Sequence, residues 1–201
     1  MVIVKDYSGN HSDGLTRYLI NTKGDKATNF FEVSYSTLVE ATTRHELAPF
    51  GIYVNDAHSY HSNCVENDWL RVDFEYPVSI SSYSLKSYST AYFVNWKLQA
   101  TEFNKPGLNW YNIDDKNNDR SLAGGNLVNF VPSNISNTKT KRIRIMMQGR
   151  RAGNNDFCFE IFHFELFGKM YKDLEFNKAC TKRKGNNHFF MINVISVMLI
   201  V

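Results

Sequence analysis

The sequence contains few of the residues that interrupt or cross-link a chain. Its 201 residues include only four prolines, eleven glycines and three cysteines. The low content of proline and glycine excludes collagen-like and linker-like proteins. The three cysteines, Cys64, Cys158 and Cys180, are too few, and odd in number, for a disulfide framework. We therefore expect free thiols.

The body of the chain also lacks an excess of charge of either sign. The net charge is +3, and residues 1–170 hold 18 basic and 18 acidic residues, so the excess lies in residues 171–201. A nucleic-acid-binding protein usually carries its basic excess on the folded body. We therefore expect no nucleic-acid partner.

The first residues of the sequence do not resemble a secretory signal peptide, and we expect none. Its first ten residues, MVIVKDYSGN, have no basic stretch followed by an apolar run. Together with the expected free thiols, this predicts a cytoplasmic, reducing location.

An uncharged apolar run, residues 189–201, closes the chain behind a basic, polar stretch. A membrane-spanning helix needs about 20 such residues, so this run is too short by roughly a third. Three interpretations stay open: a terminal strand, an interfacial membrane anchor with basic flanks, and a displaced C-terminus. We expect any membrane contact to be made only through this tail.

The sequence does have the material for a hydrophobic core, and its period is that of strands. Hydrophobic residues make up 43% of the chain and aromatic residues 14%. In residues 69–76 every second residue is apolar, and the same period of two runs through residues 79–88, 93–103 and 141–148. This period is typical of half-buried strands. Turn-forming clusters separate these windows, so the sequence predicts an all-β fold, an antiparallel sandwich or jelly roll.

The last aromatic segment, residues 156–168, departs from this alternation. Its apolar residues change face at Ile161 and Phe162. The segment is therefore predicted to be a strand that is covered on both sides or one that contains a bulge.

Several short motifs, in the order of these strands, resemble the coagulation-factor type C domain, also called the discoidin domain. Trp69 with the following V-D-F, and Tyr83-Ser-Leu85-Lys-Ser87, resemble its W-x-x-x-D-F and Y-x-L-x-S core. Further along the chain, similar motifs are NWKL at 95–98, NWYNID at 109–114, RIRIMMQ at 142–148 and ELFG at 165–168.

This resemblance covers about residues 13–168. It implies a jelly-roll β-sandwich of the galactose-binding-like superfamily at 13–170, preceded by an approach segment at 1–12 and followed by a tail at 171–201. Members without the terminal disulfide, found in intracellular proteins, look closest. Trp69, Trp96 and Trp110 fit a structural role beside turns, where each ring caps the core.

Two polar clusters contain residue types that bind metals, but each is incomplete. His58, His61 and Cys64 are spaced by three residues, yet zinc prefers four ligands and no second pair follows. Residues 115–119 resemble a calcium loop without its glycine and closing glutamate. We expect no metal and no cofactor.

The sequence also lacks the common catalytic signatures. No nucleophile elbow, phosphate-binding loop or dinucleotide fingerprint is present. His163 lies inside the aromatic closing strand, where a hydrogen-bonded sheet residue is favoured over a catalytic base. We predict that the chain is not an enzyme.

The loops are the best candidates for function, because a rigid sandwich holds its loops in place for binding. The resemblance points to loops near residues 38–50, 55–63 and 88–93. Their candidate ligand-binding residues are Arg44, His45, His58, Tyr60, His61, Tyr92 and Phe93.

These side chains offer hydrogen-bond donors and flat apolar faces, as a sugar or an acidic headgroup requires. We expect a non-catalytic binding module for a glycan, an acidic lipid or a protein. The alternative is a protein–protein adaptor domain, as in ubiquitin-ligase assemblies, with no small ligand. Arg150 and Arg151 additionally predict a basic patch on a turn.

Overall fold

The computed structural model describes residues 1–39, 48–50, 59–102, 109–134 and 139–172, and in this part of the chain strands dominate. These residues form one helix, α1 (Leu15–Lys23), and nine strands: β1 (Val2–Lys5), β2 (Phe31–Tyr35), β3 (Tyr60–His61), β4 (Trp69–Ser87), β5 (Trp96–Thr101), β6 (Trp110–Lys116), β7 (Val128–Phe130), β8 (Thr140–Met147) and β9 (Glu160–Tyr171).

The long strand β4 joins the two halves of the sheet. Its first part pairs with β2 and β8, and its second part pairs with β9 and β7. The change occurs at Pro77, which has no N–H for the sheet, where the register with β8 shifts between Asp73 and Val78. Every strand pair is antiparallel, with the order β1-β9-β4-β8-β5-β6 along the main path. The predicted all-β jelly roll is confirmed.

Side chains from both halves of the sheet meet in one core. Trp96 on β5 and Tyr83 on β4 are fully buried, and the Trp96 indole donates a hydrogen bond of 3.0 Å to the Tyr83 hydroxyl. That hydroxyl in turn donates to the buried Asp114 carboxylate at 2.6 Å. Phe130 packs against both rings, with centroids 5.2 Å away in each case. The core is thus crossed by a hydrogen-bonded chain of three side chains.

Of the two alternatives predicted for the closing strand, cover on both sides or a bulge, the bulge is present. Lys86 of β4 is opposite His163 and Ser87 is opposite Ile161, so Phe162 is the extra residue on β9. The bulge explains the change of face seen in the sequence, because one extra residue reverses the alternation.

The segment at 1–12, interpreted from the sequence as an approach segment, contains the first strand of the sheet. β1 pairs with the end of β9 from Val2 opposite Tyr171 to Lys5 opposite Gly168. Farther along, the His11 Nδ1 lies 2.8 Å from the Ser84 hydroxyl on β4. Edge pairing of a four-residue strand leaves little periodic signal, which is why the sequence did not reveal it. Of the tail at 171–201, residues 173–201 lie outside the described residues.

The N-terminus of helix α1 is capped by a buried carboxylate from strand β9, and not by a side chain of the residue that precedes the helix. Glu165 of β9 is 1% exposed, and it accepts the backbone N–H groups of Thr16 and Arg17 at 3.0 Å each. The Thr16 hydroxyl donates to the same carboxylate. Gly14 precedes the helix because a Cβ there would overlap the Glu165 side chain. In the described residues no helix is long and apolar enough to cross a membrane.

Burial raises the pKa of Glu165 from 4.5 to about 7. The folded state therefore holds this proton more tightly than the unfolded state, and the resulting stability is complete below pH 4.5 and is lost as the pH rises through about 7. We expect the unfolding free energy of the wild type, compared with Glu165→Gln, to fall by up to about 3 kcal/mol between about pH 5 and 8. Urea unfolding at both pH values measures the difference, and a constant or rising difference would contradict the assignment.

Candidate binding site

Four of the seven residues predicted to bind a ligand lie in the part of the chain that the structure describes. Arg44, His45 and His58 lie outside the described residues. Tyr60 and Phe93 are fully buried, and both rings pack edge-on against Phe159, with centroids 5.9 and 5.1 Å away. Neither ring offers an exposed face to a ligand, so a direct contact of these two residues with a ligand stays a prediction that their burial does not support. Both are core residues next to loops, which the sequence alone does not distinguish from loop residues.

The two remaining predicted residues lie in different places. His61 is on β3, opposite Glu160 of β9, with a side chain 12% exposed. Tyr92 is half-buried, and its backbone pairs with Ala152 through hydrogen bonds of 3.2 and 2.9 Å. Their role in ligand binding stays a prediction, and the structure instead points to two other features.

The first feature is an open cleft beside the end of β4. It has a volume of about 280 Å³ and is lined by residues 86–89, Gly124, Gly125 and Phe162. Three elements meet there: the end of β4 with its following loop, the 3-10 turn Ala123–Gly125, and the bulge of β9. The cleft therefore lies where a rigid sheet holds a loop, which is where ligands commonly bind.

An aromatic pair forms one wall of this cleft. The rings of Tyr88 and Phe162 are stacked, with centroids 6.0 Å apart and planes at 20°. Tyr88 is 42% exposed and Phe162 is half-buried. Phe162 is available because it is the bulge residue, while its neighbours Ile161 and Phe164 point into the core. A stacked pair with an exposed flat face suits an apolar surface of a ligand.

Backbone and polar groups complete the cleft. Gly124 and Gly125 have φ values of 71° and 73°, a left-handed conformation that glycine adopts readily. The Gly124 N–H donates to the Ser89 carbonyl at 3.1 Å, which fixes the turn against the loop after β4. Lys86 adds an ammonium group and Ser89 an exposed hydroxyl. The cleft thus combines a flat apolar wall with hydrogen-bond donors.

The second feature is a cluster of sulfur, imidazole and carboxylate groups between β3 and β9. Cys64 and Cys158 form a disulfide, and His61 is their neighbour. The prediction of free thiols is therefore wrong for these two residues, whereas Cys180 lies outside the described residues. A separation of 94 positions hid the pairing from sequence analysis.

Glu160 links this cluster to a buried arginine. Burial acts to raise the pKa of Glu160, but the imidazole of His61 and the other groups around the carboxylate hold it below its ordinary value. The Arg151 guanidinium is 3.4 Å from the Glu160 carboxylate and pairs with Asp156 at 2.7 and 2.9 Å. The hydrogen bond from Arg151 lowers the pKa of Asp156. Arg151 is only 6% exposed, so the predicted basic patch is reduced to Arg150.

Two residues of the cleft can be recognised in the sequence. Tyr88 opens one of the three predicted loops, and Phe162 marks the change of face in the closing strand. Lys86, Gly124 and Gly125 gave no signal, because only the folded topology brings them to Tyr88.

The fold is shared with carbohydrate-binding domains of known structure. A chitosan-binding module of a Paenibacillus sp. IK-5 chitosanase/glucanase is 14% identical, with a TM-score of 0.52 over 68% of this chain and 94% of that one. The Clostridium perfringens module CpGH89CBM32-5, solved with GalNAc-β-1,3-galactose, is 15% identical, with a TM-score of 0.52 over 69% and 95%. A fucolectin from striped bass serum is 12% identical, with a TM-score of 0.54 over 69% of this chain and 46% of the lectin.

No protein-family model and no curated protein sequence matches the chain. The structural likeness, at these low identities, establishes the fold. The chain therefore shares the jelly-roll fold of these domains, as its discoidin-like motifs predicted.

Proposed function

We propose that the chain is a non-catalytic carbohydrate-binding module that binds a saccharide in the cleft beside the end of β4. The observation that carries the proposal is the exposed Tyr88 ring, stacked on Phe162 above a glycine turn and beside Lys86. The fold shared with saccharide-binding modules supports it.

A pyranose ring has an apolar face of C–H groups and an edge of hydroxyl groups. The apolar face would pack on Tyr88, and the hydroxyls would accept hydrogen bonds from Lys86 and Ser89. Because the cleft is open and shallow, we expect a Kd on the order of 0.1 to 1 mM, about 4 to 5.5 kcal/mol of binding free energy. Such weak binding suits a module that is used in several copies or beside other domains.

Replacement of Tyr88 by alanine is expected to weaken saccharide binding at least about tenfold, because the stacking surface is removed. Tyr88→Phe keeps the ring and should retain most of the affinity. The matched control is Tyr35→Ala, a tyrosine 36% exposed on β2, outside the residues that line the cleft. Isothermal titration with chitotriose and with GalNAc-β-1,3-galactose, preceded by a glycan array to choose further probes, measures the effect.

Two results would contradict the proposal. One is a glycan array without signal, together with partner proteins that co-purify, which would favour the protein–protein adaptor. The other is specific binding that Tyr35→Ala and Tyr88→Ala reduce equally.

An acidic lipid headgroup is a further outcome, which binding to anionic vesicles through Lys86 would reveal. The cytoplasmic location and a membrane contact of residues 189–201 stay predictions.

A further inference from the structure

We infer that, once its disulfide is reduced, the chain binds a zinc-class metal ion through His61, Cys64 and Cys158. Each residue offers one ligand atom, and these three atoms lie within 4.8 Å of one another. Thiolate sulfur and imidazole nitrogen are the ligands that zinc prefers. The sequence had placed His58 with His61 and Cys64, and the fold supplies Cys158 from a distant part of the chain.

The spacing of the donor atoms is close to what a tetrahedral ion requires. Ligand atoms around zinc are about 3.5 Å apart for nitrogen and sulfur and about 3.8 Å apart for two sulfurs, given the usual bond lengths. The Nε2 of His61 is 4.0 Å from the Sγ of Cys64, near the first value. For an ion to bind, the two sulfurs have to separate, which breaking their bond permits, and the imidazole nitrogen has to move closer to them.

The His61 ring is oriented so that one nitrogen faces the Glu160 carboxylate and the other faces the Cys64 sulfur. Its Nδ1 lies 3.4 Å from the Glu160 carboxylate, which leaves Nε2 directed at the cysteine. A carboxylate behind a histidine ligand orients the ring, and this arrangement is common at zinc sites. Ser59 holds the other oxygen of Glu160 at 3.2 Å.

The two segments that carry the cysteines stay joined without the disulfide. The Ser62 hydroxyl accepts the N–H groups of Cys64 at 3.2 Å and Phe159 at 2.9 Å. The Ser62 N–H donates to the Phe159 carbonyl at 3.0 Å, next to the pairing of β3 with β9. Cys64 itself has a φ of 62°, a conformation that few residues other than glycine adopt.

The conversion of the disulfide-bonded chain into the zinc-bound chain takes two balanced steps, reduction and metal binding. A phosphine reductant gives two electrons to the disulfide, which becomes two thiols, while the phosphine becomes its oxide with an oxygen from water. Zinc then replaces the two thiol protons, and His61 binds through its lone pair. Three protein ligands leave the fourth position to water or another donor. The disulfide and the metal therefore exclude each other at this site.

The test is zinc binding by the full chain with and without phosphine, measured by competition with a chromophoric chelator. We expect one equivalent of zinc in the reduced chain and none at this site in the oxidised chain. Cys64→Ser should abolish that equivalent, and His61→Ala should weaken binding at least about tenfold. Cys180→Ser is the matched control and should keep it. Replacement of zinc by cobalt should give a thiolate-to-metal absorption band, which reports sulfur ligation independently of affinity.

Circular dichroism and thermal unfolding of each reduced variant show whether the fold is intact. His61→Ala leaves both cysteines in place, so it tests the site even if Cys64→Ser does not fold. The inference is overturned if the reduced, folded wild type binds no zinc. It is equally overturned if Cys180→Ser removes zinc as completely as Cys64→Ser. Neither outcome depends on whether the cleft binds saccharides.

Discussion

Replacement of Arg151 by alanine is expected to lower the free energy of unfolding by about 3 to 5 kcal/mol. The guanidinium is nearly inaccessible and makes a bidentate pair with Asp156. It also donates to the Ala91 carbonyl at 3.3 Å and lies 3.4 Å from Glu160. Removing it leaves a buried carbonyl and the Glu160 carboxylate without this partner, and that loss accounts for most of the expected effect.

The neighbouring Arg150 provides the control. It is exposed, donates to the Asn155 carbonyl at 2.6 Å and lies over the Phe157 ring. Arg150→Ala removes the same side chain without leaving a buried charge, so its effect should be much smaller. Urea unfolding of the oxidised chain, followed by tryptophan fluorescence, measures both variants. Equal destabilisation by the two would show that burial and pairing of Arg151 do not matter.

Replacement of Trp96 by alanine should destabilise the fold by a similar amount, about 3 to 5 kcal/mol, because it opens a cavity in the centre of the core. Trp96 has no exposed surface and contacts Phe93 and Phe130 edge-on, with centroids 5.4 and 5.2 Å away. Its indole also donates to Tyr83, whose hydroxyl donates to Asp114. The alanine variant loses both the packing and the first of these hydrogen bonds.

Two further variants separate the contributions. Trp96→Phe retains most of the packing and removes the indole N–H, so its smaller loss of about 1 to 2 kcal/mol reports the hydrogen bond and the reduced volume. Trp110→Ala is the matched tryptophan control, since Trp110 is only half-buried beneath the Arg144 guanidinium at 4.3 Å. Thermal or urea unfolding measures all three. A loss for Trp110→Ala as large as that for Trp96→Ala would contradict the central role of Trp96.

The strands could be predicted from the sequence because burial of one face imposes a period of two. This holds for the first part of β4 and for β8, where buried residues such as Leu70 and Ile145 alternate with more accessible ones. In β5 the residues from Leu98 to Thr101 are all buried, so its burial does not follow that period. The change of face at Phe162 likewise anticipated the bulge. Strand β1 was not predicted, because a short edge strand depends on pairing with its partner β9 more than on its own hydrophobic pattern.

The candidate sites were harder to predict because each depends on contacts between distant parts of the chain. Tyr60 and Phe93 are residue types that often bind ligands in loops, but both pack against Phe159 and belong to the core. Conversely, Phe162 meets Tyr88 only because β9 lies beside β4. His61 and Cys64 are residue types that bind metals and stand close together in the sequence, whereas the nearness of Cys158 depends on the fold.

The measurement that tests the account most directly is amide chemical-shift mapping of the nitrogen-15-labelled chain during titration with chitotriose or the best array saccharide. The account predicts that the largest shifts occur at residues 86–89, at Gly124 and Gly125, and at Phe162. Shifts at Tyr35 and Trp110 should stay small. Saturable shifts centred on another part of the fold, with residues 86–89 unchanged, would contradict a saccharide site in this cleft.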